Sequence, residues 1–199
     1  MAQELELKTI VPDPAALRDR LLAAGAKLAF QGIMEDRRYD RDGALLARDE
    51  VLRVRRFIAA DGVAEAELTW KGQTGRSQGG YKQREELSCR IAAGSDSPGR
   101  ILEGLGYRVS QAIDRYVELY ELAGAVLRVE WYPRMDVLLE VEGSPAAIET
   151  AIQATGLPRD RFTADILADF VQRYDARGAR RAVLALADLG GERPAWENP

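Results

Sequence analysis

Glu4-Leu5-Glu6-Leu7-Lys8-Thr9-Ile10 alternates charged and apolar side chains, the period-two signature of a strand whose two faces meet different surroundings. Charges at i, i+2 spacing recur further along, as Arg53/Arg55, Glu67/Thr69/Lys71, Arg84/Glu86 and Glu140/Glu142, each set on one face of its strand. The opposite faces carry Leu5/Leu7, Leu52/Val54, Leu68/Trp70 and Leu139/Val141. On an ordinary half-buried sheet the charged face meets water. Here those faces are dominated by Arg and Glu and segregated in sign by strand, and amphipathic segments after residue 144 offer cover for an apolar outer face.

Working outward, the pattern predicts strands near 28–40, 51–60, 63–72, 80–92, 107–121 (interrupted), 125–132 and 136–143, with hairpin turns at Asp61-Gly62 and Ala123-Gly124. Asp13-Pro14 opens a helix with Leu17, Leu21 and Leu22 as its apolar stripe, stopped at Gly25. A short helix is expected at 98–104, and others at 145–155, 163–174 and 179–189, followed by a loose tail at 190–199. Gly72–Gly80 reads as a mobile loop, since it lacks the Gly-Lys-Ser/Thr ending of a phosphate loop. Many short-linked strands without βαβ alternation indicate an α+β protein, an antiparallel barrel or sandwich with helices packed outside.

Composition narrows the chemistry. The 199 residues are 46% hydrophobic and 30% charged, as in a folded domain. No apolar run approaches the length of a membrane span, and the first residues lack a secretory pattern, so a cytoplasmic location with no membrane partner is expected. With no histidine, Ser-His, Cys-His and His-metal chemistries are absent. Cys89, the single cysteine, reads as a small buried residue. A net charge of −4 argues against a nucleic-acid polymer as partner.

If the sheet closes with its charged faces inward, the lumen holds about six basic groups and about six carboxylates, which cannot sit unpaired at low dielectric. The lumen must be wet, ion-paired, or filled by a charged ligand with metal. A polyphosphate with divalent cations meets these needs, because Arg and Lys bind phosphate oxygens while clustered glutamates chelate the cation.

These residues carry a family resemblance. Glu4-x-Glu6-x-Lys8 resembles the Glu-x-Glu-x-Lys signature of the CYTH superfamily, the triphosphate tunnel metalloenzymes that include class IV adenylyl cyclases, thiamine triphosphatases and inorganic triphosphatases. Further blocks similar to the family's follow in order: Tyr39-Asp40 with Leu52-Arg53-Val54-Arg55, Leu68-Thr69-Trp70-Lys71-Gly72, Lys82-x-Arg84-x-Glu86, Arg115-x-x-Glu118-Leu119, and Trp131-x-Pro133 leading to Leu139-Glu140-Val141-Glu142-Gly143. The resemblance implies an eight-stranded antiparallel tunnel in which Lys8, Arg53, Arg55, Lys71, Arg84 and Arg115 contact triphosphate. It also implies Glu4, Glu6, Glu140 and Glu142 as ligands of Mg²⁺ or Mn²⁺, with Glu6 and Lys8 as the catalytic pair. Glu86 and Glu130 would hold a second metal or orient the basic residues. The chain departs from the pattern at Ile113-Asp114, where a Lys often precedes the Arg, at Glu130, where Asp is common, and at Arg134-Met135-Asp136, which replaces a Gly-containing turn.

The resemblance implies a metal-dependent hydrolase of a small-molecule triphosphate, with a class IV adenylyl cyclase and a non-catalytic polyphosphate or nucleotide sensor as alternatives. The tunnel domain with its trailing helices is expected over 1–176, leaving 177–199 as a C-terminal helix and tail, and a homodimer is compatible with the pattern.

Overall fold

In the computed structural model, which describes residues 3–62, 64–92, 96–178 and 180–197, the alternating segments become strands β1 (Gln3–Ile10), β2 (Lys27–Asp40), β3 (Val51–Ala59), β4 (Ala64–Lys71), β5 (Gly75–Arg76), β6 (Lys82–Ile91), β7 (Arg108–Leu122), β8 (Ala125–Trp131) and β9 (Leu138–Glu142). Eight of them pair antiparallel in the order β1-β9-β8-β7-β2-β3-β4-β6. The return pairing of β6 to β1, with Glu4 opposite Arg84 and Glu6 opposite Lys82, closes the barrel. β5, inside the segment expected to be a mobile loop, continues the β4 edge along β6. β7 runs without the expected interruption, and its ladder with β2 has two register irregularities, between Leu28 and Phe30 and between Arg38 and Tyr39.

The charged faces point inward. Leu7, Leu139 and Val141 lie outside the wall, packed with Leu17 and Leu21 of α1 (Pro14–Ala23) and Ile148 and Ile152 of α3 (Pro145–Thr155). Burial of these groups, each worth roughly 1.5–3 kcal/mol, pins the two helices to one side of the barrel and thereby fixes which strand face is left for the lumen. Both helices start as their sequences direct: Asp13 Oδ1 accepts from Ala16 N at 2.9 Å, and Ser144 Oγ accepts from Ala147 N at 3.3 Å. Gly25 ends α1 region geometry at φ +86°, a conformation other residues reach only with strain. Leu22, assigned above to the apolar stripe, is instead half exposed. Glu118, on the outer face of β7, is buried and clasps α1 by accepting from Arg18.

The two remaining helices are α2 (Ser97–Gly104) and α4 (Leu167–Arg177). α4 starts later than the composition predicts because Thr163 is drawn into the wall: its N–H and C=O pair with Lys8 at 2.8 Å each, completing the β1 edge where β6 has turned away. Phe170 of α4 then packs with Ile113, Tyr132, Met135 and Leu138 at one end of the barrel.

No α-helix forms over the described part of 179–189; residue 179, and 198–199 of the expected tail, lie outside the described residues. The backbone there is spent on the barrel end instead. Val183 pairs with Arg134, Asp114 N donates to the Leu184 carbonyl at 2.7 Å, and Leu186 N donates to Asp114 Oδ2 at 2.8 Å, before a single 3₁₀ turn at Leu186–Leu189. Helix propensity is worth only tenths of a kcal/mol per residue, so long-range pairing overrides it. The tail is tied down as well, with Ala195 N donating to the Pro133 carbonyl at 3.0 Å. Cys89 lies on the outer face as its alternation with Ser88 requires, but it is exposed rather than buried.

Candidate active site in the barrel lumen

Inward residues from all eight barrel strands line a cavity of about 830 Å³ that runs from the lumen out under α4. β1, β9 and β8 bring Glu6, Lys8, Glu140, Arg128 and Glu130; β2 and β3 bring Asp36, Arg38, Arg53 and Arg55; β4, β6 and β7 bring Lys71, Lys82, Arg84 and Arg115. The charges are mutually neutralising. Lys8 Nζ donates to Glu6 Oε1 at 2.9 Å and also to Glu140; Lys82 Nζ donates to Glu6 Oε1 at 2.6 Å; Lys71 Nζ donates to Glu4 Oε2 at 2.6 Å and pairs with Glu86 Oε2 at 2.6 Å.

Carboxylate oxygens of Glu4, Glu140 and Glu142 converge within 4.8 Å of one another. Like charges this close resist simultaneous ionisation. Burial raises the Glu4 carboxyl to about 7 against the pull of Lys71, with Glu6, Glu142 and Glu86 adding to the rise. This all-oxygen, hard donor set fits a divalent cation such as Mg²⁺ or Mn²⁺. Glu6 is beside the cluster and turned toward the two lysines. Burial works against its ionisation, but Lys82 and Lys71 hold its carboxyl below the ordinary range.

A second network centres on Asp36, which is 1% exposed. Arg55 donates to it bidentately, Nε to Oδ1 at 2.6 Å and Nη2 to Oδ2 at 2.9 Å, and Arg115 donates to Oδ2. Burial would raise this carboxyl; Arg55, Arg115 and Arg53 together hold it well below the usual range. Glu130 has both oxygens occupied, Oε1 by Arg115 at 2.8 Å and Arg128 at 2.9 Å, Oε2 by the Tyr132 hydroxyl at 2.7 Å. It therefore orients arginines and lies outside the carboxylate cluster. Glu86 likewise serves Lys71; burial opposes its charge, yet Lys71 brings its carboxyl down to about 2.

Arg53 differs from its neighbours. Its nearest carboxylates, on Glu67, Glu86 and Asp36, stand at 3.6, 3.7 and 3.8 Å, and its buried Nε has no hydrogen-bond partner. Burial, then the adjacent Arg55 charge, lower its guanidinium to about 10. Arg38 Nε and Arg115 Nε are also unpartnered and buried. All three residues line the cavity, and unspent cationic donors there are what an anionic ligand would complete.

No family model matches the sequence, and no curated protein matches it. Solved structures do. The PH1819 protein of Pyrococcus horikoshii OT3 superposes with a TM-score of 0.69 at 21% identity, covering 85% of this chain and 98% of its own. A candidate adenylate cyclase from Vibrio parahaemolyticus gives 0.70 at 16% identity, over 85% and 97%. HpAC1 of Hippeastrum, a candidate adenylyl cyclase with a dominant triphosphatase activity, gives 0.57 at 16% identity, over 83% and 91%. The chain shares their barrel.

Within that barrel the structure gathers every residue of the expected set around one lumen, though not in one role. Arg84 lines the cavity while donating to two backbone carbonyls, Gly72 at 2.7 Å and Asp49 at 2.5 Å, so it also braces the loops at that mouth. Asp36, Arg38, Lys82 and Arg128 also line the cavity and are absent from the expected set. Lys82 and Arg128 had a signal: each stands two residues from an assigned inward charge, Arg84 and Glu130. Asp36 and Arg38 had none that a single sequence shows, because Glu35-Asp36-Arg37-Arg38 is charged at every position.

Proposed function

We propose that this protein is a triphosphate tunnel metalloenzyme of the CYTH type, a hydrolase that binds a triphosphate in the barrel together with Mg²⁺ or Mn²⁺. The observation that carries the reading is the lumen itself, where arginines with buried, unpartnered Nε donors line the same cavity as Glu140, one of three clustered carboxylates. In this reading Glu4, Glu140 and Glu142 hold the cation, which when bound neutralises phosphate charge and acidifies water. Arg53, Arg55 and Arg115 grip phosphate oxygens in forks whose geometry Asp36 and Glu130 set beforehand, so little reorganisation accompanies binding. Lys8 and Lys82, held in place by Glu6, place two ammonium groups where charge grows on the departing phosphate.

The cavity also supports a second reading. It extends beyond the charged zone to a mouth walled by Leu46, Ile166, Leu167, Val171 and Leu184, with Gln172 among them, which is room and chemistry for an organic group on the triphosphate. That favours an organic over an inorganic triphosphate and keeps the adenylyl cyclase in view.

Incubation with tripolyphosphate, ATP and thiamine triphosphate under Mg²⁺, Mn²⁺ or EDTA tests both. Metal-dependent phosphate release abolished by EDTA is the expected result. Cyclic AMP with pyrophosphate would replace the hydrolase by the cyclase, and tight binding without turnover would replace both by a sensor. At limiting metal, Glu4→Ala and Glu142→Ala should each lose activity on the order of 10–100-fold and recover partly as metal is raised. Wild-type activity in both variants would remove the cluster from the site.

A further inference from the structure

Arg38 is set apart from the other cations of the lumen. Each of the other Lys and Arg side chains lining the cavity forms an ion pair with a carboxylate, whereas among the described residues Arg38 forms none. Its Nη1 donates to Gln111 Oε1 at 2.9 Å, and its buried Nε has no hydrogen-bond partner. The Gln111 amide is a neutral acceptor, so it orients the guanidinium without offsetting its charge.

The register of the wall shows why Arg38 lacks a counter-ion. Across β7, β2, β3, β4 and β6, Gln111, Arg38, Arg53, Thr69 and Ser88 stand in one row, which holds two directly opposed arginines and no carboxylate. The next row, through Asp36, Arg55 and Glu67, sets two carboxylates around one arginine. Like charges directly opposite each other on a sheet are destabilising, and an anion between them removes the cost. β2 runs on from Arg38 to Asp40, whose carboxylate accepts from Leu45 N and Leu46 N at 3.0 Å each. The turn that brings Leu46 to the mouth thus begins two residues beyond Arg38, and the Arg38/Arg53 row lies between the Asp36 network and that mouth.

We propose that Arg38, oriented by Gln111 and acting with Arg53, binds the phosphoryl group of the triphosphate nearest the mouth, the one whose substituent projects under α4. This rests on the tunnel reading above and gives the substrate a direction within the tunnel. Arg55 and Arg115, preset by Asp36, hold the inner phosphoryl groups. The outer one meets two guanidinium groups that the chain itself leaves without a hydrogen-bonded carboxylate. The row therefore selects a chain of three phosphoryl groups over a chain of two, and makes Arg38 a specificity-determining residue.

Titration calorimetry with tripolyphosphate and with pyrophosphate, in EDTA to prevent metal-dependent turnover, tests the assignment. Arg38→Gln should weaken tripolyphosphate binding by roughly 10–100-fold and pyrophosphate binding, which the inner forks support, by much less. Gln111→Glu offers Arg38 a carboxylate and leaves the arginine in place. It should weaken tripolyphosphate in the same way, and its ligand-free form should melt at or above the wild-type temperature, since the opposed arginines are then neutralised. Unaltered tripolyphosphate affinity in either variant overturns the inference while the tunnel reading stands. An equal loss for tripolyphosphate and pyrophosphate also overturns it, because the effect of Arg38 is then not tied to the outer phosphoryl group. Failure of the wild type to bind tripolyphosphate, in EDTA or with Mg²⁺, overturns the tunnel reading itself.

Discussion

Asp36→Asn should lower the thermal unfolding midpoint by on the order of 10 °C. The carboxylate is fully enclosed and is the shared acceptor for Arg55 and Arg115, with Arg53 beside it at 3.8 Å. Removing one member of a buried ion-pair network leaves the others uncompensated, at a cost of about 3–5 kcal/mol. In a chain of this length each kcal/mol moves the midpoint by about 2–4 °C. The linkage to pH has a definite sign. Asp36 is held well below its ordinary range in the folded chain, so its contribution is present above about pH 4 and fades as pH falls below that toward the folded value. The acid limb of a stability-pH profile should accordingly be shallower in Asp36→Asn. Tripolyphosphate supplies negative charge to the same arginines and should restore part of the lost stability. Unfolding at the wild-type temperature, or an unchanged acid limb, would show that Asp36 does not hold the arginine cluster.

The second large effect belongs to Arg53→Ala. Arg53 makes no hydrogen bond to a carboxylate and has a buried, unpartnered Nε, so the folded chain loses little when it is removed and is relieved of a like charge beside Arg55. The ligand-free variant should melt at or slightly above the wild-type temperature. Tripolyphosphate affinity should move the other way, by roughly 10–100-fold, since a charge-assisted hydrogen bond to phosphate is worth about 1.5–3 kcal/mol. Titration calorimetry and melting curves with and without tripolyphosphate and Mg²⁺ separate the two. Equal ligand-induced shifts in wild type and Arg53→Ala would take Arg53 out of the binding site.

The barrel and its charged interior were legible because β1, β3, β4 and β9 each alternate cleanly, and because both residues of Arg53/Arg55 and of Glu140/Glu142 share a face. β2 is not legible in that way. Its run Glu35-Asp36-Arg37-Arg38 offers two equally charged faces, and the choice of Asp36 and Arg38 for the interior is made by register against Arg55 and Arg53 on β3, a contact between residues far apart in the chain. The stretch Arg180–Leu189 looks helical by composition, but Asp114 and Arg134 recruit its backbone, and neither partner is visible locally. For Cys89, alternation placed the side chain on the correct face; which arcs of the barrel the helices would cover was set by α1 and α3 packing on the β1 side.

The pairing of Lys8, Lys71, Lys82, Arg55 and Arg115 with carboxylates of the chain itself makes the lumen an ion exchanger loaded with its own counter-ions. A phosphate oxygen that takes over one of these cations leaves a carboxylate unengaged, and that carboxylate becomes a better ligand for a positive ion from solution. Anion uptake and cation uptake therefore reinforce each other, by the same factor in either order. The exchange takes place between fixed partners rather than with a diffuse ion cloud, so polyphosphate affinity should fall less steeply with added salt than it does on the open basic surface of a nucleic-acid-binding protein.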